Sequence, residues 1–426
     1  MTDWRARVLD CVDEQIDDMV AHLSDLVRIP SLGGSDVENG VQAEMARTLE
    51  AEGLDIDHWQ IPLAQIAAEP DFPGMEVTRD EAWGLVGRSP GTGGGPSLML
   101  NGHVDVVPAG DPASWTSGDP FSGRIDATHV HGRGACDMKA GLVTALWAVK
   151  ALRRSGAPLR GDVLLASVQA EEDGGMGTYA TLRRGWWADA CVIPEPTGLD
   201  VVPANAGSLT FRLRVPGQAT HASRRTAGVS AIEKFWPVFA ALGELERSRN
   251  ADVDPLFARW DIAYPLSVGV VRAGDWASTV PALLVAEGRL GVALGESVAD
   301  ARTALEWAFA EACDADAWLR AHPVVVEWWG GQFASGRLVE SSDLLDRVRT
   351  AHAQVSGQPA PAVWGGPYGS DLRLLTGLGQ IPTLQYGPGD VTLAHAPNES
   401  VPIADVVTCA RTLAALALDY CGVESG

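Results

Sequence analysis

The sequence predicts an α/β protein: a domain built on a mostly parallel sheet with helices on both faces, interrupted by an inserted α+β domain of ferredoxin-like order. Three observations predict it. Up to residue 206, short apolar runs bounded by Gly and Pro alternate with helically spaced segments, the pattern of a parallel layer. Beyond 206 the order becomes strand, helix, two strands, helix, strand, which is the ferredoxin-like succession. After about Gly331 the first style returns, so residues 1–206 and 332–426 form one expected domain and 207–331 the insert.

Taken in order, Val8, Val12, Ile16, Met19, Leu23 and Leu26 are spaced for a helix, and VENGVQAEMARTLEAEG gives a second one closed by Gly53. WGLVGRSP and PSLMLNGHVDVVP read as strands ending in loops. The helix MKAGLVTALWAVKALRRSG, the strand GDVLLASVQAEED, a helix to about Arg184 and the strand ACVIPEPT follow. In the insert, SLTFRLRVPG, the helix around VSAIEKFWPVFAALGELE, PLSVGVVRAG, LLVAEGRLGVAL, SVADARTALEWAFAEA and HPVVVEWW supply the six elements. Helices near SSDLLDRVRTAHAQVSG and from roughly Ala404 to Tyr420 complete the chain.

Composition limits what the protein does. With 426 residues and 46% hydrophobic side chains, the chain buries a core too large for one ordinary domain. The 55 acidic against 32 basic residues give a net charge of −23, which repels phosphate backbones and anionic membranes, so neither is an expected partner. Six cysteines without C-x-x-C spacing, an acidic N-terminal stretch unlike a signal peptide, and the lack of an apolar run of membrane-spanning length predict a cytoplasmic protein.

Acids and histidines fall at or beyond the ends of expected strands, where open α/β sheets collect their ligands. In N-G-H-V-D-V-V-P, His103 and Asp105 alternate along an extended segment and face one side, so Asp105 is placed to hold the free ring nitrogen of His103; a lone His there is more often a packed residue. In H-G-R-G-A-C-D-M-K-A-G, a Gly-rich loop delivers Asp137 just before a helix, a place equally suited to a cap. Glu171, Glu172 and Asp173 end a strand. Three acids there are usually a solvated turn, yet neighbours facing different ways allow one carboxylate to bind metal and the other to handle a proton. Glu195 is stiffened between Pro194 and Pro196, and His395 follows a Gly-Pro-Gly turn in A-H-A-P-N-E.

Together and in this order, the G-H-x-D, G-R-G-x-x-D-M-K-x-G, E-E and H-x-x-N-E strings resemble the acetylornithine deacetylase, succinyl-diaminopimelate desuccinylase, carboxypeptidase G and aminoacylase family of two-metal hydrolases. The resemblance spans nearly the whole chain, insert included. It implies that Asp137 bridges two divalent ions, with His103 and Glu195 completing one ligand set and Glu172 and His395 the other. Zinc suits such a mixed imidazole and carboxylate set, with cobalt or manganese as alternatives. Glu171 is the implied general base and Asp105 the carboxylate that orients His103. His221, in V-P-G-Q-A-T-H-A-S of the insert, is the implied donor to the scissile carbonyl, acting across a homodimer formed through that lid domain. The Arg that serves substrate carboxylates in the family is replaced at its usual position by Gly291, with Arg289 two residues earlier on the same face. G-G-P-Y-G-S-D-L-R-L-L matches the family's substrate loop, which makes Gly369, Ser370 and Asp371 candidate substrate contacts.

The expected activity is hydrolysis of the amide bond of a small N-acylated amino acid or related amide. Dipeptidase or carboxypeptidase action is the alternative on the same framework, and a non-catalytic binding member the remote one. A serine hydrolase is disfavoured: G-R-S-P-G puts Pro90, which has no N–H, where the oxyanion hole needs a donor. The run G-T-G-G-G-P precedes a strand and is no nucleotide-binding turn. His22, His58, His129, His131, His322 and His352 have no ligand-like setting.

Overall fold

The computed structural model describes residues 3–424. A nine-stranded sheet forms the larger layer. Its centre runs Val163–Val168, Leu98–His103, Ala190–Ile193, Thr383–Gln385, all parallel. Antiparallel strands extend it on both sides: Trp83–Ser89 and Asp55–Gln60 beyond Val163–Val168, and Val201–Asn205 and Gly336–Arg337 beyond Thr383–Gln385. Every residue of Leu98–His103 and Val163–Val168 is buried, as a strand covered on both faces requires.

The helices Trp4–Asp13, Ala140–Ser155 and Ile403–Cys421 pack one face, where Leu142, Leu146, Leu413 and Leu416 share a core with Leu98, Leu100 and Leu165. Helix Met176–Arg184 covers the other face through Met176 and Tyr179, against Met99, Leu164 and Ala166. Parallel strands end at one edge, so His103, Glu171 and Glu195 are brought together by topology before any side-chain contact is made.

The second sheet is antiparallel, with spatial order Leu266–Ala273, Leu283–Val292, Gly207–Pro216, Val325–Phe333. Together with helices Ala231–Arg249 and Val298–Ala315 this is the ferredoxin-like arrangement. Its own core takes alternate residues of Gly207–Pro216: Leu209, Phe211, Leu213 and Val215. Only Ala206 separates that strand from Val201–Asn205 of the larger sheet, which makes the junction short and well defined.

Five strands of the large sheet have no expected counterpart. Asp55–Gln60 has three charged or imidazole side chains in six residues, and Val201–Asn205, Gly336–Arg337, Val363–Gly366 and Thr383–Gln385 are too short to show a period.

Candidate metal centre

His103, at the carboxyl end of its strand, is almost completely buried. Its Nδ1 lies 2.9 Å from the main-chain O of Asp105. A carbonyl only accepts, so Nδ1 carries the proton and the lone pair of the neutral ring sits on Nε2. Nε2 in turn is 3.3 Å from Oδ1 of Asp137. The expected Asp105 contact is therefore corrected in its atom: the carboxylate is 3.7 Å from the ring and instead accepts from the backbone N of Glu171 at 3.3 Å and of Glu172 at 3.2 Å. Asp105 thus fixes His103 through its backbone and the two-glutamate turn through its side chain.

Asp137 lies in the irregular turn Ala135–Lys139, where non-helical φ/ψ angles lift it out of the helix that follows. Its two oxygens face two histidines: Oδ1 faces His103, and Oδ2 is 3.5 Å from Nε2 of His395. Burial alone would raise its pKa, but the two rings hold it below the usual carboxylate range. Behind it stands a residue that sequence reasoning quoted within H-x-x-N-E without assigning a role. Glu399, fully buried, accepts from Cys136 N at 2.8 Å and Asp137 N at 3.0 Å and pairs with Arg133.

Nε2 of His395 is also 3.0 Å from Oε2 of Glu172. The other oxygen of Glu172 is buried with no hydrogen-bond partner among the described residues. Both His395 and Ala170, which precedes Glu171, adopt left-handed backbone with φ near +60°. Such angles are costly for side chains other than Gly and Asn, and they cluster where geometry is functional.

Ligand atoms of His103, Glu171 and Glu195 lie within 4.8 Å of one another, and so do those of His103, Asp137 and Glu172. Burial pushes the carboxyls of Glu171 and Glu195 up, as it must where acids converge away from water. An orphaned buried oxygen, an imidazole tautomer fixed with its lone pair inward and several convergent carboxylates form a set that fits divalent cations. Glu171 stands as close to His103 and Glu195 as a ligand would, so distance alone does not separate base from ligand.

The cluster opens onto a cavity of about 500 Å³ between the sheet edge and the second sheet, lined by Glu171, Glu172 and His395 on one side and by Ser208, Arg289 and Gly369 on the other. The substrate-loop expectation is corrected at two positions. Ser370 is buried against Asn205 and Gln385, and Asp371 is buried against Thr178, so neither lines the cavity; Gly369 and its neighbour Tyr368 do. At Gly291 a Cβ would stand 2.7 Å from Tyr264 C and 2.9 Å from Pro265 O, which leaves no room for a side chain. Arg289 does reach the cavity, where its Nη2 lies 2.9 Å from Oε1 of Glu76, a loop residue that no sequence signal marked. His221 lies elsewhere, exposed on a short strand of the insert, with Nδ1 accepting from Ser223 N at 3.2 Å. All six cysteines are free, and no helix among the described residues is long and apolar enough to cross a membrane.

The chain is 26% identical to an N-formyl-4-amino-5-aminomethyl-2-methylpyrimidine deformylase of Halalkalibacterium halodurans, over 96% of each chain. It is 28% identical to a succinyl-diaminopimelate desuccinylase of Gluconacetobacter diazotrophicus, over 92% of this chain and 94% of the relative. Among solved structures, a dinuclear metal-binding peptidase of Bacillus subtilis matches with TM-score 0.63 and 17% identity, over 96% of this chain and 98% of that one. The model of peptidase family M20/M25/M40 matches residues 99–419, a span from the strand of His103 to the last helix, and the chain belongs to that family of metal-dependent amide-bond hydrolases.

Proposed function

We propose that this protein hydrolyses the amide bond of a small N-acylated amino acid or related amide, as a deacylase, with Glu171 as general base. The reading rests on one observation above the others: Asp137 stands between His103 and His395 with one oxygen toward each, as a residue shared by two cations must. Glu195 joins the His103 side and Glu172 the His395 side. Two divalent ions, zinc by preference, supply the charge that acidifies water and polarises the carbonyl when bound there. Glu171, buried at the cavity wall, takes the proton of the attacking water and passes it to the leaving nitrogen.

His221 completes the site from a second subunit. Because Nδ1 accepts from Ser223, the neutral ring keeps its proton on Nε2, the donor that a developing oxyanion needs. Two features of the insert, the unit 207–331, support a homodimer. Helix Ala231–Arg249 exposes Ile232, Trp236 and Phe239 along one stripe, and strand Leu266–Ala273 is an uncovered sheet edge.

The test mixes subunits. Heterodimers of His221→Ala and Glu171→Gln chains regain turnover when the base comes from one subunit and the histidine from the other. An active monomer, or heterodimers as inert as their parents, would refute the shared site.

A further inference from the structure

The cavity wall opposite the acids of the metal centre is built around one ion pair. Arg289 is the sole Lys or Arg among the described residues lining the cavity, and its guanidinium is already engaged by Glu76 at 2.9 Å. Glu76 is not a mobile surface acid that happened to swing inward. Its loop threads between Gly174, next to Asp173, and Gly330 of the insert; a Cβ on Gly330 would collide with the Glu76 side chain, and one on Gly174 with the carbonyl of Gly74. The backbone N of Glu76 donates to Asp173 O at 3.2 Å, and Pro73 O accepts from Gln332 N at 3.0 Å. Val77 N donates to the Asp173 carboxylate at 2.8 Å, and Arg79 clamps that carboxylate at 2.7 Å. The same Asp173 follows the two glutamates of the metal centre, so the loop, the acids and the insert are tied into one frame.

The contacts of Glu76 are lopsided. Thr210 Oγ1 at 2.7 Å, Arg289 Nη2 at 2.9 Å and Gly331 N at 3.4 Å all donate to Oε1. No hydrogen bond among the described residues reaches Oε2, although the side chain lines the cavity. The wall therefore offers a free carboxylate acceptor in front of a cation whose charge is neutralised. A substrate carboxylate arriving there would meet Glu76 at close range, and like charges repel in a partly dry cavity. An N–H donor would be accepted by Oε2 at once.

We propose that the Glu76–Arg289 pair sets substrate choice: the substrate is an N-acylated amine whose distal part presents N–H donors and no carboxylate. This deepens the amide-hydrolase reading above and rests on it. Of the N-acylated amino acids and related amides of that reading, it selects the carboxylate-free amides.

The probes are N-formyl-4-aminophenethylamine and N-formyl-4-aminophenylalanine, which differ only in the α-carboxylate. With zinc-loaded wild type, kcat/KM for the carboxylate-free member is expected to exceed the other by roughly tenfold or more, the worth of the charge repulsion it avoids. Glu76→Gln keeps the side chain's shape and unmasks Arg289, so the ratio moves at least about tenfold toward the amino acid. Glu76→Gln combined with Arg289→Met loses that gain. Unchanged metal content and melting temperature in both variants certify the fold. Wild-type preference for the amino acid, or an E76Q variant that slows both members equally, overturns the selection while leaving the hydrolase reading in place. Failure of metal-loaded wild type to hydrolyse any amide overturns both together.

Discussion

At the carboxyl edge of the central sheet, His103 is 1% exposed, its ring is fixed by Asp105 O, and its neighbour Asp137 is held at the backbone by a buried Glu399. On the insert, His221 stands in solvent, its ring hydrogen-bonded among the described residues only to Ser223 two residues away. Both are histidines at the carboxyl ends of strands, and local sequence gives them equal standing. The difference lies in who supplies the surrounding partners. Groups at the sheet edge are positioned by their own chain. His221 is given a tautomer by its own chain, and on our reading its target is supplied by another.

The comparison can be broken most directly at Asp137. Asp137→Ala is expected to empty both metal sites and abolish turnover, and a variant that still binds two equivalents of zinc at wild-type affinity would end its bridging role. Glu171→Gln comes next, with turnover falling by about a hundredfold to ten-thousandfold and metal content kept. Since Glu171 sits within ligand range of His103 and Glu195, metal analysis of this variant carries the decision: loss of an ion makes it a ligand.

Glu399→Gln leaves the Arg133 charge buried without its counterion and should cost ~3–5 kcal/mol in chemical denaturation. A midpoint unchanged from wild type would mean that Asp137 is held by its own turn. His221→Ala should lower turnover by roughly a hundredfold to a thousandfold, with neither metal content nor stability altered. A destabilised His221→Ala would give the histidine a role within its own chain. The smallest effect belongs to Arg225→Ala, near His221, which removes an exposed pair with Glu233; less than ~1 kcal/mol is expected on thermal unfolding, and a larger loss would show that this turn is held more firmly than its contacts imply.

How much of this was legible in the sequence depended on whether chemistry and local pattern coincided. His103, Glu171 and Glu195 follow apolar runs that read as strands, so topology alone predicted their meeting. Asp137 could not be told from a helix cap by its surroundings, and the resemblance decided it. Ser370 and Asp371 show the opposite failure: residue type was suggestive, but only packing decides which side of a loop faces the core, and Asn205, Gln385 and Thr178 drew both inward. Glu76 had no signal at all, because it is placed by the close passage of Gly74, Gly174 and Gly330, positions far apart in the chain.

His395 and Glu399, which meet Asp137 from the front and from behind, both come from the final tenth of the sequence. Translation proceeds at ~5–20 residues per second, and domains fold from the N-terminus as they emerge. A growing chain therefore displays His103, Asp137 and the two glutamates well before His395 and Glu399, the parts that would complete them, have been made.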